Sequence, residues 1–312
     1  MKRLGSKVAF ITGGNGFIGS NLIKALVKEN YDIHILLRKN ANLWRIKDFT
    51  EKITIHKGDI LEKEKLVKIV AKISPGYLFH LASYGNTSAD TNLQEMVNVN
   101  ILGLINLLEA TKKTAYKSFV ITGSSSEYGF KKAPMKETDI LTPNSYYSAT
   151  KASATLLAQN FAQINNKPIT IARLFSVYGP YEENNRLIPT VINSALQSKT
   201  ILTTAGSVRR DFIYIDDVIS GLLKITKTNL RPGEIINLGT GKQHDNKDVI
   251  KTVGKILDKH LVVEYGRFPK RGWDTSNWVA NILKAKKLLG WNPKYNLGQG
   301  LTETINWYRK NN

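Results

Sequence analysis

The chain has 312 residues, no cysteine, and 45 Lys and Arg against 25 Asp and Glu, for a formal net charge of +20. With 42% hydrophobic and 22% charged residues it reads as a globular chain of one large or two ordinary domains, not a disordered one. Disulfides and thiolate metal sites are excluded.

Short apolar runs alternate with amphipathic ones through the first two-thirds. KVAFIT (7–12) reads as a buried strand, followed by a helix over FIGSNLIKALVKEN, and DIHILL (32–37) as a second strand. ITIHKGD (53–59) is a third strand, with a helix over EKEKLVKIVAKI, and YLFHLA (77–82) is a fourth. A long helical stretch is expected from about Asn92 to Lys113, then a fifth strand at SFVITG (118–123). NSYYSATKASATLLAQNFAQI opens a helix, PITIARLFSVYG (168–179) reads as one sixth strand, and EIINLGT (234–240) as one more. Uninterrupted apolar strands alternating with helices predict a doubly wound α/β fold, a parallel sheet covered on both faces. After Gly179 prolines punctuate shorter elements. The expected division is a Rossmann dinucleotide-binding domain over 1–179, to which 208–242 returns, and a smaller interleaved substrate-binding lobe over 180–207 and 243–312.

No apolar run approaches roughly 18 residues, so no membrane partner is expected. The N-terminus runs straight into a strand pattern with no cleavable signal, which makes the cytoplasm the expected location. The positive charge is spread over lysines such as Lys63, Lys65 and Lys68 on polar helix faces, with no nucleic-acid motif and no basic tail. It predicts a solvated basic surface and no nucleic-acid partner, with a field that draws in anionic substrates. No metal is expected.

The first strand ends in TGGNGFIGS, where Gly13, Gly16 and Gly19 fall between an apolar strand and an amphipathic helix. Glycines there let the backbone approach a pyrophosphate at a helix N-terminus, which points to a dinucleotide. An acid at the end of the second strand suits the ribose 2′-hydroxyl of NAD, and an arginine suits a 2′-phosphate. The chain reads DIHILLRKN, with Leu37 and Arg38 at that place, Lys39 next and Arg45 further on. NADP(H) is therefore the preferred cofactor, with NAD(H) the alternative.

Tyr147 and Lys151 stand four residues apart and share a helix face, whereas Tyr146 pairs with Thr150 about 100° away. A phenol near pKa ~10 becomes a working acid–base group when a neighbouring ammonium favours its phenolate. The fifth strand runs into TGSSSEYG, so Ser124, Ser125 and Ser126 sit at the carboxyl edge of the sheet, where open α/β sheets bind ligands.

Taken together, TGGNGFIG, GDI (58–60), HLAS (80–83), SSSEYG (124–129), YSATK, RLFSVYGP (173–180), RRDFIYIDDV (209–218) and NLGTG (237–241) resemble the extended short-chain dehydrogenase/reductases. Within them, the chain is similar to the NAD(P)-dependent nucleotide-sugar epimerase/dehydratase family over its whole length. The resemblance implies a catalytic set of Ser124, Tyr147 and Lys151, with Lys151 also on the nicotinamide ribose. It implies cofactor contacts from Gly13, Asn15, Gly16, Phe17, Ile18, Gly19, Arg38, Asp59, Ile60, Leu81 and Ala82, and a structural or relay role for Asn100. Substrate contacts fall on Ser125, Ser176, Arg210 and Arg271, the two arginines gripping a nucleotide diphosphate through planar donors. A homodimer through the helices starting near Asn92 and Ser145 is implied as well.

Three reactions compete. A 4,6-dehydratase of this family carries an acid just after the catalytic hydroxyl, where this chain has Ser125 and Ser126, and Glu127 sits one place too late. A 4-epimerase keeps its cofactor, and its usual acid after the second strand is missing here. A 4-ketosugar-nucleotide reductase needs exchangeable NADPH and only the Ser-Tyr-Lys set, and the ending of SSSEYG is similar to such reductases. The sequence therefore favours an NADP-dependent oxidoreductase at C4 of a nucleotide-diphosphate sugar, with the NAD-dependent 4-epimerase as alternative.

Overall fold

The computed structural model describes residues 7–85, 92–268 and 274–311. Six strands lead the chain: β1 (Val8–Thr12), β2 (Asp32–Leu37), β3 (Ile53–Lys57), β4 (Tyr77–His80), β5 (Ser118–Ser124) and β6 (Ile169–Leu174). Four short strands follow, β7 (Ser176–Tyr178), β8 (Ile201–Thr203), β9 (Arg209–Arg210) and β10 (Phe212–Tyr214), before β11 (Glu234–Leu238). The first six and β11 make one parallel sheet in the order β11-β6-β5-β4-β1-β2-β3. The strand order reverses between β1 and β4, and their carboxyl ends open the crevice where such sheets bind ligands.

The helices are α1 (Phe17–Lys28), α2 (Lys63–Ile73), α3 (Leu93–Val97), α4 (Gly103–Thr111), α5 (Tyr146–Ile164), α6 (Leu187–Leu196), α7 (Ile215–Thr226), α8 (Asn246–Leu257), α9 (Leu283–Leu289) and α10 (Leu297–Asn311). Side chains alternate across each strand, so β1 serves two cores. Val8 and Phe10 pack with Leu66, Val70, Leu104, Leu108 and Ala158, under α2, α4 and α5. Ala9 and Ile11 pack with Leu22, Ile23, Val218 and Leu222, under α1 and α7. A strand buried on both faces has no polar phase, which is why VAFIT is apolar almost throughout.

Two expectations change. The run 168–179 is not one strand: Phe175 N donates to Leu238 O (3.1 Å), Ser176 N donates to Asp211 O (3.0 Å), and β7 leaves the main sheet to pair with β10. From Leu174 to Val177 the residues at the break are apolar or small, so hydrophobic period carries no mark of the change of partner. The stretch 92–113 is α3 and α4 joined by a π-helical turn over Asn98–Leu102, which turns Asn100 into the interior. Such turns gather at functional sites.

Beyond β11, β12 (His244–Asp245) pairs with β9, and β13 (Val263–Tyr265) pairs with β8. Two buried acids tie this C-terminal part down. Asp211 accepts from Thr240 N, Thr240 Oγ1, Gly241 N and Ala280 N (2.6–3.0 Å). Asp217, in the first turn of α7, accepts from Lys294 N (2.8 Å) and Tyr295 N (3.0 Å). No helix among the described residues is long and apolar enough to cross a membrane.

Candidate active site

The glycine turn fits a dinucleotide pyrophosphate. Gly13 has φ +74°, and a Cβ there would lie 2.5 Å from Ala82 N and 2.7 Å from the Leu81 carbonyl carbon. A Cβ on Gly19 would meet Gly14 Cα at 2.7 Å, so α1 starts pressed against the turn. Gly16 N donates to Gly13 O (3.1 Å), and Gly16 N-caps α1 with no side-chain cap and no acid in the first turn. The free amides of that turn are a site for an anion. Asn15 is held by Asn42 O (3.0 Å), and Phe17 and Ile18 are half-buried at the helix start. Leu81 N donates to Thr12 O (3.0 Å), so Leu81 and Ala82 leave β4 beside the glycines.

Arg38 and Lys39 stand exposed at the end of β2. Arg45 is occupied elsewhere: its Nε donates to Tyr181 O (2.8 Å), its Nη2 pairs with Glu183 (3.1 Å), and it stacks on Trp44. Asp59 Oδ1 accepts from Leu61 N (2.9 Å) and Asp59 N donates to Glu62 Oε2 (2.6 Å), shaping the turn that carries half-buried Asp59 and buried Ile60.

Ser124, at the end of β5, N-caps a short 3-10 turn over Ser125–Tyr128. Ser145 N-caps α5, which sets Tyr147 in its first turn and Lys151 one turn on. Tyr147 is half-buried, with the hydroxyls of Ser124 and Ser83 close enough to act on its phenol, whereas Tyr146 is 61% exposed. Burial pushes the Tyr147 phenol up, and Ser83, Ser124 and the Arg186 guanidinium oppose that shift. The expected effect of the Lys151 ammonium is not among these: its Nζ donates to Thr122 O at 2.7 Å. Burial lowers the Lys151 ammonium and the Glu127 carboxylate opposes that. His80, buried beneath the site, shares a proton with Thr12 Oγ1 (2.7 Å), and burial with nearby Lys151 holds it at about 3, so it stays neutral.

Asn100 joins the loop after β4 to α5. Its Oδ1 accepts from Ser83 Oγ (3.2 Å) and Tyr84 N (2.9 Å), and its Nδ2 donates to Tyr84 O (2.8 Å) and Thr150 Oγ1 (3.0 Å).

The substrate candidates are dispersed. Ser125 is buried and its Oγ accepts from Trp278 Nε1 (3.0 Å), so Ser126, not Ser125, meets the Ser124 hydroxyl (2.8 Å). Arg210 lies over the Trp278 ring (5.1 Å), with Nη1 on Arg209 O (2.7 Å) and Nη2 toward Asp274 (3.4 Å). Ser176 is half-buried on β7. Arg271 lies outside the described residues. Sequence reasoning missed Ser83 and Arg186: Ser83 lay within the quoted HLAS motif, but Arg186 had no local signal. Among the described residues no cluster of His, Asp or Glu can hold a metal ion.

Residues 9–239 match the model of the NAD dependent epimerase/dehydratase family. A UDP-glucuronate 4-epimerase of Thermodesulfobacterium geofontis is 32% identical over 321 residues, covering 96% of each chain. The structure of UDP-glucuronic acid 4-epimerase from Bacillus cereus, in complex with UDP-glucuronic acid and NAD, superposes with a TM-score of 0.88 at 28% identity, covering 98% of this chain and 100% of that one. The dTDP-glucose 4,6-dehydratase of Bacillus anthracis in complex with NAD gives a TM-score of 0.86 at 28% identity, covering 97% of both chains. The doubly wound sheet, the uncapped glycine turn and the residues assembled at its crevice agree with these matches: the chain belongs to the NAD-dependent epimerase/dehydratase family of extended short-chain dehydrogenases/reductases.

Proposed function

We propose that the protein is a nucleotide-sugar 4-epimerase that retains NAD. The observation that carries the reading is that, among the described residues, the acid beside Ser124 is fully engaged and the two positions after Ser124 are serines. Ser125 and Ser126 occupy the places where a dehydratase has acids, and the nearest acid, Glu127, is bound on both oxygens, by Ser124 N (2.7 Å) and Arg173 Nε (2.7 Å). Epimerisation needs one proton removed from an oxygen and later returned, and one acid–base group suffices for that.

In this reading Tyr147 Oη takes the proton of the sugar 4-hydroxyl and gives it back. Ser124 Oγ hydrogen-bonds the same oxygen, and Lys151 holds the cofactor ribose. The bound nicotinamide accepts and returns the hydride at C4. Arg210, Ser176 and Arg271, with the lobe over 180–207 and 243–312, take the nucleotide diphosphate, and the domain over 1–179 and 208–242 takes the cofactor. Leu93, Leu102, Leu156 and Leu157, exposed on α3, the π turn and α5, support a homodimer through these helices.

The test is incubation of the purified protein with UDP-glucuronate and UDP-glucose, without added cofactor, followed by separation of the 4-epimers. Epimer formation with NAD released on denaturation supports the reading. A second reading, an NADPH-dependent 4-ketosugar reductase, draws on exposed Arg38 and Lys39 and on the missing acid at the end of β2. An empty cofactor site with NADPH preferred over NADH would favour it.

A further inference from the structure

Beneath Ser124 lies an ion pair that none of the proposed chemistry uses. Glu127 is 0% exposed and Arg173 1%, and they meet through Nε and Oε2 at 2.7 Å. The other carboxylate oxygen accepts from Ser124 N at 2.7 Å, closing the capping box of the turn that carries the Ser124 hydroxyl. The pair is built in tightly. A Cβ on Gly123 would lie 2.7 Å from Glu127 Oε1 and 3.0 Å from Arg173 Cγ, so only glycine leaves room for it. On its far side, the guanidinium lies 4.6 Å from the centre of the Tyr128 ring, and Tyr128 Oη donates to Asn237 Oδ1 (2.7 Å).

The pair has a direction. Its carboxylate end faces the catalytic edge of β5, where it bonds Ser124, and acts on Lys151, whose Nζ is bonded two residues back along the same strand at Thr122 O (2.7 Å). Its guanidinium end points toward Tyr128, with the carboxylate of Glu137 acting on it from beyond. An ammonium taken out of water loses its proton readily unless a negative charge stands by it. Of the other ionisable groups around Lys151, His80 is neutral and Tyr147 is a phenol.

We propose that Glu127 and Arg173 are positioning residues: Glu127 fixes the backbone of Ser124 and places a negative charge beside the Lys151 ammonium, and Arg173 holds Glu127 in that orientation. The proposal rests on the reading of Ser124, Tyr147 and Lys151 as the catalytic set. A buried ion pair is weak evidence for stability, since an apolar pair of the same volume often replaces it without loss.

The test is an NMR titration of Lys151 in protein labelled at the lysine ε-carbon, with the Lys151 signal assigned from Lys151→Arg, alongside the pH profile of kcat. Glu127→Gln keeps the acceptor for Ser124 N and removes the charge. It is expected to lower the Lys151 midpoint by about one pH unit, to shift the alkaline limb of kcat the same way, and to reduce kcat near neutrality roughly tenfold. Glu127→Asp, which keeps the charge, holds the midpoint within about half of that shift. Because Glu127→Gln leaves Arg173 buried without its partner, Glu127→Gln/Arg173→Met is the folding control, and its midpoint also falls below that of the unmodified protein. A folded Glu127→Gln or double variant with an unmoved Lys151 midpoint overturns the proposal and leaves the pair as packing. A shifted midpoint in a protein that turns over no nucleotide sugar supports the pair's role and removes the epimerase reading alone.

Discussion

Ser124 ends β5 and Tyr147 lies in the first turn of α5, and the Ser124 hydroxyl acts on the Tyr147 phenol to favour its ionised form, although the two residues belong to different elements of the chain. Tyr146, the sequence neighbour of Tyr147, points to solvent. Helix geometry makes this choice, since consecutive residues diverge by about 100°. Tyr147→Phe is expected to reduce kcat by about 10²–10⁴-fold, the usual worth of a positioned acid–base group. Tyr146→Phe should stay within roughly twofold. Epimer formation from a nucleotide sugar measures both, and near-normal turnover by Tyr147→Phe would end the assignment.

The glycine turn makes a prediction that needs no substrate. At φ +74° and 2.5 Å from Ala82 N, a Cβ on Gly13 is strained in backbone and crowded in space. Gly13→Ala is expected to cost about 1–3 kcal/mol in thermal or urea unfolding and to abolish cofactor retention. Gly16→Ala should be milder in stability, because its Cβ would meet only Gly13 O, at 3.3 Å. Equal stability losses for the two would contradict this.

Retention of NAD and the exposed cations at the end of β2 can be separated by one variant. Arg38 is exposed, and Arg45 is spent on Tyr181 and Glu183. For an epimerase holding NAD, Arg38→Ala leaves the amount of cofactor released on denaturation unchanged. A selective weakening of NADP binding by about tenfold or more would instead assign Arg38 to a 2′-phosphate.

A carboxyl group gives the stability curve a slope on the neutral side. Glu182 Oε2 is shut off from solvent without a partner, and burial raises the group from its ordinary 4.5 to about 8, with Arg186 opposing and Glu183 reinforcing the rise. The folded state then holds a proton that the unfolded state has lost. The contribution is full below 4.5 and disappears as pH rises through about 8. The slope is at most about 1.4 kcal/mol per pH unit. Glu182→Gln is expected to flatten the decline between these values in urea unfolding, and a decline of the same steepness in the variant would show that other groups cause it.

Much of this was legible in the chain. Seven apolar runs, broken by Gly-rich turns and amphipathic helices, already specified a doubly wound sheet, because a strand buried on both faces has no polar phase and its crossover needs a helix. The glycine spacing, the four-residue step from Tyr147 to Lys151 and the Ser124 position were equally local, each set by one turn of one element. What local pattern could not decide was long-range pairing. The split of 168–179 into β6 and β7 depends on Leu238 and Asp211, which lie far along the chain. Ser125 became buried because Trp278 arrives to bond it, and Arg45 lost its place near the cofactor because Glu183 and Tyr181 claim it. The partner of Glu127 is Arg173, in another strand, so an acid that looked out of place in SSSEYG has its partner only in the folded protein. Periodicity and spacing determine which elements form and which side chains share a face; which charges neutralise one another is settled only when burial makes an unpaired charge too costly to leave.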